Sequence, residues 1–478
     1  MIYPKEESNL FNPDLLKRYK QSFSDYTELR AQREINRFFS YTDGKIFEME
    51  SILPNREGIS ARVYKNGVFG FAATAGFDDS AVKRILREAD ENATLLGRYS
   101  RSKGNGLVEI QNGIMPINRP FRRFTTDDFQ SLLDDIACYV SRNYPAVSFS
   151  ATVTDHTVEK LLAISNGFDS HNVEIYSSMN IALSRNGATE EKQQCSEEFF
   201  PLKSWDELRE DMHPLYAFVD ELYEKLERKL IASEQEPVDA EGGEFECILS
   251  QQFSGILAHE AVGHTMEANS LLERESIGAR DMGQQVASPL VSLTDFAHTA
   301  YGEPLAVRVY VDDEGTPCKD AEIIKNGILT GMMNNRETAK IFGVDPTGNA
   351  RAATYSDEPI IRMRNTCFLP GTSTLEEMIS SIDRGYYLKT CGGGNGGQTG
   401  NFSLVVQEGY EIRNGRLGRP IRPTLASGSA WEALKTVDMV SRDFRADRRP
   451  GMCGKMNQSI PTISGGPEMK LRLNIGGK

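Results

Sequence analysis

The chain carries the run His259-Glu260-Ala261-Val262-Gly263-His264, two imidazoles five residues apart with a carboxylate beside the first. Two converging imidazoles hold a divalent metal, and a neighbouring carboxylate can move protons for a reaction there. The common two-His zinc motif spaces its rings four residues apart, about 40° out of line on a helix of ~3.6 residues per turn. A separation of five turns them about 140° apart on a regular helix. A π-type turn, bonded i to i+5, realigns them, and Gly263 is where that distortion meets least steric resistance. Chance spacing is the bland alternative. It is opposed by Ile256, Leu257, Ala258, Ala261 and Val262, which indicate a mostly buried helix, because burying two imidazoles and a carboxylate without partners is expensive.

Two His do not make a firm zinc site, so a third protein ligand must come from elsewhere, leaving the fourth position for water. Glu267, three residues beyond His264, is placed to ligate or to hold a ring N–H. The remaining His156, His171, His213 and His298 have no spacing that recommends them and read as structural. Among the seven cysteines, Cys453 has the most suggestive context, Gly451-Met452-Cys453-Gly454-Lys455. The glycines allow close approach, and Lys455 favours a thiolate. The bland reading of Cys453 is a loop thiol in a tight turn. The loop 392–397, which includes Gly393 and Gly394, resembles a phosphate cradle but lacks the Lys-Ser/Thr of a P-loop. It reads instead as a flexible wall near the site, where backbone amides meet an extended peptide by strand addition. Arg351 and Arg364 read either as substrate-binding cations or as surface salt bridges.

The elements that must position these residues are strand-rich. Asn-Gly at Asn66, Asn105, Asn112, Asn166, Asn186, Asn326, Asn395 and Asn414, with Asp43-Gly44, suits the positive φ angles of tight hairpins. Stretches 35–42, 45–53, 58–64 and 68–74 read as a four-strand antiparallel meander, followed by a helix with Val82, Ile85, Leu86, Ala89, Ala93 and Leu96 on one face. A middle region has a helix over 125–142, a strand over 147–154, and a helix over 205–231 opened by a capping box on Ser204 and Glu207. Beyond the linker at 233–237, strands are expected at 245–250, 306–311, 322–325, 328–332, 402–407 and 410–413. The expected fold is α+β: an antiparallel sheet plus helix over 1–118, a middle α/β region over 119–236, and a strand-rich domain over 237–478 carrying the metal-site helix.

Composition narrows the function. With 54 basic against 68 acidic residues, a net charge of −14 leaves no basic surplus for a phosphate backbone and argues against direct nucleic-acid binding. The cysteines show no CxxC and no close pairs, which disfavours a disulfide framework. Neither a secretory signal nor an apolar run of ~18 to 20 residues is visible, so the expectation is a cytoplasmic protein without a membrane span.

The chain resembles the TldD/PmbA family, and within it the TldD-like branch that keeps the metal motif. The resemblance rests on Gly58-Ile59-Ser60-Ala61-Arg62-Val63, Gly67-Val68-Phe69-Gly70-Phe71, His259 to His264, Asp313-Glu314-Gly315, Gly348-Asn349-Ala350-Arg351, Gly400-Asn401-Phe402-Ser403, Gly451 to Lys455 and Gln458-Ser459-Ile460-Pro461. It implies a zinc-dependent peptidase acting on unfolded or extended peptides, with His259, His264 and Cys453 as ligands of Zn2+. Glu260 would be the general base on the metal-activated water. It further implies a homodimer, or a heterodimer with a metal-free paralogue. The family has also been called a modulator of DNA gyrase, a role that the acidic balance opposes for direct DNA contact. The alternative, from a different class, is a peptide-binding or regulatory subunit whose metal is structural or absent.

Overall fold

Tyr26–Thr42 is one long strand, beginning well before the apolar alternation that predicts a start at residue 35. Its first half is charged, yet Glu28 and Arg30 are buried: Glu28 pairs with buried Arg62 at 3.1 Å, and Arg30 donates to the carbonyls of Thr354 and Asp357. The computed structural model describes residues 11–49, 56–99, 106–110, 114–117, 124–186, 192–201, 205–232, 236–272, 276–447 and 450–476. They form an α+β fold of two compact units.

The first unit, Met1–Gly106, Ile110–Glu234 and Ala352–Glu358, is organised on a nine-stranded sheet drawing strands from both N-terminal regions. It is not a sequential meander. Arg56–Lys65 pairs with the first half of the long strand, Lys45–Met49 with its end, and Ser148–Ile164 with most of its length. Asp79–Tyr99 buries Val82, Ile85, Leu86, Ala89 and Ala93 on a core that includes Ile59, Ala61 and Val63. Thr126–Asn143 opens with a capping box of Thr125 and Asp128 and shares a second core with Leu215, Val219, Leu222 and Leu226. The helix expected over 205–231 is two, Trp205–Glu210 and His213–Ala232. Pro214 explains the break, since a proline is tolerated in a first turn but not in a helix interior. The capping box proposed on Ser204 lies outside the described residues, as do Asn105, Asn112, Gly187 and residues 233–235 of the linker.

The second unit contains Gln235–Arg351 and Pro359–Lys478. Strands Gly243–Leu249, Arg384–Gly396, Asn401–Arg413, Thr424–Ser429 and Met469–Gly476 pair in that order, and the last returns to pair with the first, closing a barrel. The strands expected at 402–407 and 410–413 are one continuous strand. A second sheet contains Leu293–Phe296, Ala321–Lys325, Asn365–Phe368 and Gln458–Gly466. The expected strand at 306–311 does not form: Val307, Val309 and Val311 are buried, but Val309 N–H bonds singly to Ala297 and no ladder develops. Positive φ at Asp43, Asn66, Asn326 and Asn414, each followed by glycine, matches the hairpin reading. Asn395-Gly396 departs from it and sits inside a strand. Among the described residues no helix is long and apolar enough to cross a membrane.

Candidate metal centre

The helix that carries the two imidazoles begins as an ordinary α-helix over Gln251–Leu257, capped by Ser250 on Phe253 N–H. It widens to a π-turn over Ala258–Gly263 and tightens to a 3-10 turn over His264–Met266. The distortion is the one the five-residue spacing requires. Leu257, Ala258, Ala261 and Val262 are fully buried in the barrel core and fix the turn, leaving His259, Glu260 and His264 partly exposed. The rings of His259 and His264 lie 5.0 Å apart, nearly perpendicular. Gly263 has ordinary helical dihedrals, φ −52° and ψ −55°. It is needed for a different reason from backbone freedom: a Cβ there would come within 2.2 Å of Met363 Sδ.

Cys453 arrives on a hairpin. Gly451–Lys455 pairs antiparallel with Gln458–Gly466, and Met456 and Asn457 both take positive φ at the turn. The thiol therefore sits on a strand, not in a loop. Its Sγ is 3.6 Å from His264 Nε2, and the ligand atoms of His259, His264 and Cys453 all lie within 4.8 Å of one another. Burial opposes the Cys453 thiolate, but His259 and His264 outweigh it and lower the thiol to about 5. Burial likewise opposes the His264 imidazolium, yet Cys453 and Glu267 push it up to about 10. Each group favours the charged form of the other, a preference that a bound cation would take over by replacing the protons. The donor set, two imidazole nitrogens and one thiolate, fits zinc.

Glu267 does not join the ligand atoms. Its carboxylate is buried and faces His264 Nδ1 at 3.7 Å, longer than a hydrogen bond. Burial raises its titration, while His264 and Lys455 override that and lower it. Arg351 is also buried and donates to the carbonyls of Met363 and Pro461, bracing the strand that carries the Cys453 hairpin. Arg364 is fully buried on Asp295 at 2.9 Å, so neither arginine forms a surface salt bridge. Arg362, which has no sequence signal beyond its alternation with Arg364, donates to the carbonyls of Cys453 and Gln458. His156 and His171 lie on strands of the other unit's sheet, and His298 stacks on Tyr310.

The glycine segment 392–397 belongs largely to a strand, Arg384–Gly396, paired with Asn401–Arg413 through several register shifts. This corrects the loop reading: the glycines serve close packing. A Cβ on Gly394 would meet Leu404 Cδ2 at 2.3 Å and Glu260 Cγ at 3.4 Å, and one on Gly396 would fall 1.8 Å from the Glu260 carbonyl oxygen. Gly393, at φ +127°, has open space around it. Cys391 on the same strand has a thiol raised to about 11, chiefly by burial and further by Glu260.

Comparison with known proteins agrees with this architecture. Residues 242–477 match the PmbA/TldA metallopeptidase C-terminal domain, and residues 27–93 match PmbA/TldA metallopeptidase domain 1. A protein of Saccharolobus solfataricus named zinc metalloprotease TldD homolog is 27% identical over 97% of this chain and 99% of its own length. A metalloprotease TldD homolog of Buchnera aphidicola is 38% identical over 50% of this chain and 49% of its own. The crystal structure of TldE from Thermococcus kodakarensis superposes with a TM-score of 0.68 at 19% identity, covering 97% of this chain and 99% of that one, a likeness of fold.

Proposed function

The chain belongs to the TldD/PmbA family of metallopeptidases, and on that premise we propose that it is a zinc-dependent peptidase that hydrolyses unfolded or extended peptides. The observation that carries the reading is the convergence of His259, His264 and Cys453 within 4.8 Å, beside Glu260 on the π-turn. His259, His264 and Cys453 would hold a zinc ion, which when bound would polarise the scissile carbonyl and lower the pKa of water. Glu260 takes a proton from the attacking water and returns it to the leaving amine. The strand at Gly394 and Gly396 packs against Glu260 and holds its backbone in place. The chain works as a homodimer or with a metal-free paralogue, in the cytoplasm.

Glu260→Gln tests the proposal. It should leave zinc content at the wild-type level and reduce cleavage of a flexible peptide by about 10²–10⁴-fold, the usual contribution of a general acid–base group. Cleavage at the wild-type rate removes Glu260 from the mechanism.

A further inference from the structure

Lys455 makes contacts unlike those of a surface lysine. Its Nζ lies 2.7 Å from Glu267 Oε2, 2.9 Å from Asn269 Oδ1 and 3.0 Å from the Ile361 carbonyl. Three acceptors from two segments, residues 267–269 and the strand at Ile361, use all three donor positions of the ammonium. The oxygen it holds, Glu267 Oε2, is the one facing His264 Nδ1, whereas His264 Nε2 faces the Cys453 thiol. The other oxygen of Glu267, Oε1, is buried with no hydrogen-bond partner among the described residues. The carboxylate therefore has one fixed anchor, and that anchor is Lys455.

Resting on the functional reading above, we propose that Lys455 is a positioning residue of the metal centre: it holds Glu267 in the orientation that directs His264 Nε2 towards the metal. A metal-bound imidazole is oriented by whatever accepts its other ring N–H, and losing such a partner typically weakens metal binding by about 10–100-fold. Here the group facing that N–H is a buried carboxylate, 3.7 Å away, whose Oε1 has no hydrogen-bond partner among the described residues to fix its rotation. Without the lysine, Glu267 is free to turn from Nδ1, and the ring of His264 loses its preferred tautomer and tilt. Lys455 and Cys453 lie on one short strand, so the segment that supplies the thiol also fixes the imidazole opposite it.

The test measures zinc affinity by competition with a chromophoric chelator, independently of cleavage. Lys455→Met should bind zinc about 10–100-fold more weakly than wild type. Because Lys455 acts through Glu267, the double variant Glu267→Gln with Lys455→Met should match Glu267→Gln alone within about twofold. That comparison stands even if Lys455→Met by itself fails to fold. Cobalt(II) loading gives a spectroscopic check: the thiolate-to-cobalt charge-transfer band of Cys453 should persist in the double variant and saturate at higher metal concentration. Wild-type zinc affinity in Lys455→Met overturns the inference, as does a further tenfold loss in the double variant relative to Glu267→Gln. A Glu260→Gln variant that still cleaves overturns the functional reading and leaves the zinc comparison intact.

Discussion

Adding one methyl group at Gly396 should disable the metal centre from its far side. A Cβ there would lie 1.8 Å from the Glu260 carbonyl oxygen, 2.5 Å from its carbonyl carbon and 3.1 Å from its Cα. All three are backbone atoms, so no rotamer change relieves the clash. Neither backbone segment can turn aside, so strand and π-turn must part by about 1.6 Å to restore ordinary contact. Overpacking of this kind costs about 1–3 kcal/mol, and a rigid backbone contact belongs at the upper end, about 3 kcal/mol. The π-turn carries His259 and Glu260 and runs directly into His264, and displacing a catalytic group by about 1 Å can cost ~10²-fold. Gly396→Ala should therefore lower kcat/KM on a flexible peptide by about 10²-fold and lower the urea midpoint. The control is one residue away: at Gly397 the nearest atoms are Thr399 Oγ1 at 3.7 Å and Asn401 O at 3.9 Å, so Gly397→Ala should be nearly neutral. Wild-type activity and midpoint in Gly396→Ala would refute the claim that this strand positions Glu260.

Arg364→Met should destabilise the protein by about 3–5 kcal/mol in urea unfolding, because it removes the buried cation with which Asp295 pairs; both partners are fully buried. A loss below about 1 kcal/mol would mean that Asp295 does not need its arginine. The metal-free protein should show a plateau of stability against pH. The Cys453 contribution is lost as pH falls from 9.0 through about 5, and the His264 contribution is lost as pH rises from 6.5 through about 10. The two oppose each other in the overlap, so stability falls only below 6.5 and above 9.0. Urea midpoints across pH check this, and a Cys453→Ala profile of the same shape as wild type would refute it.

The π-turn was legible because five-residue spacing admits few solutions on a helix that must be buried. The convergence of Cys453, so far along the chain, was not legible from spacing, since only the fold brings the hairpin to the helix. The glycine segment misled for a specific reason. Consecutive Gly and Asn are turn chemistry in most contexts, whereas here they clear space for the Glu260 backbone, and no sequence pattern separates the two uses. The charged start of the first strand was not legible because it has no apolar alternation to mark it. Glu28 and Arg30 face Arg62 and the carbonyls of residues 354 and 357. Arg362 had no signal beyond its alternation with Arg364, being an interior arginine whose acceptors are main-chain carbonyls.

That segment, Ala352–Glu358, belongs to the unit formed otherwise by residues before 235, and this sets a condition on biosynthesis. When residue 234 leaves the ribosome, the sheet that carries Arg30, Gln32 and Lys160 has every strand it needs but lacks the carbonyls of Ala352, Ala353, Thr354 and Asp357 that these side chains bond. At elongation rates of about 5–20 residues per second, those acceptors follow on the order of ten seconds later. The N-terminal half therefore emerges with a charged face still in water, and it is completed only from within the half that is made after it.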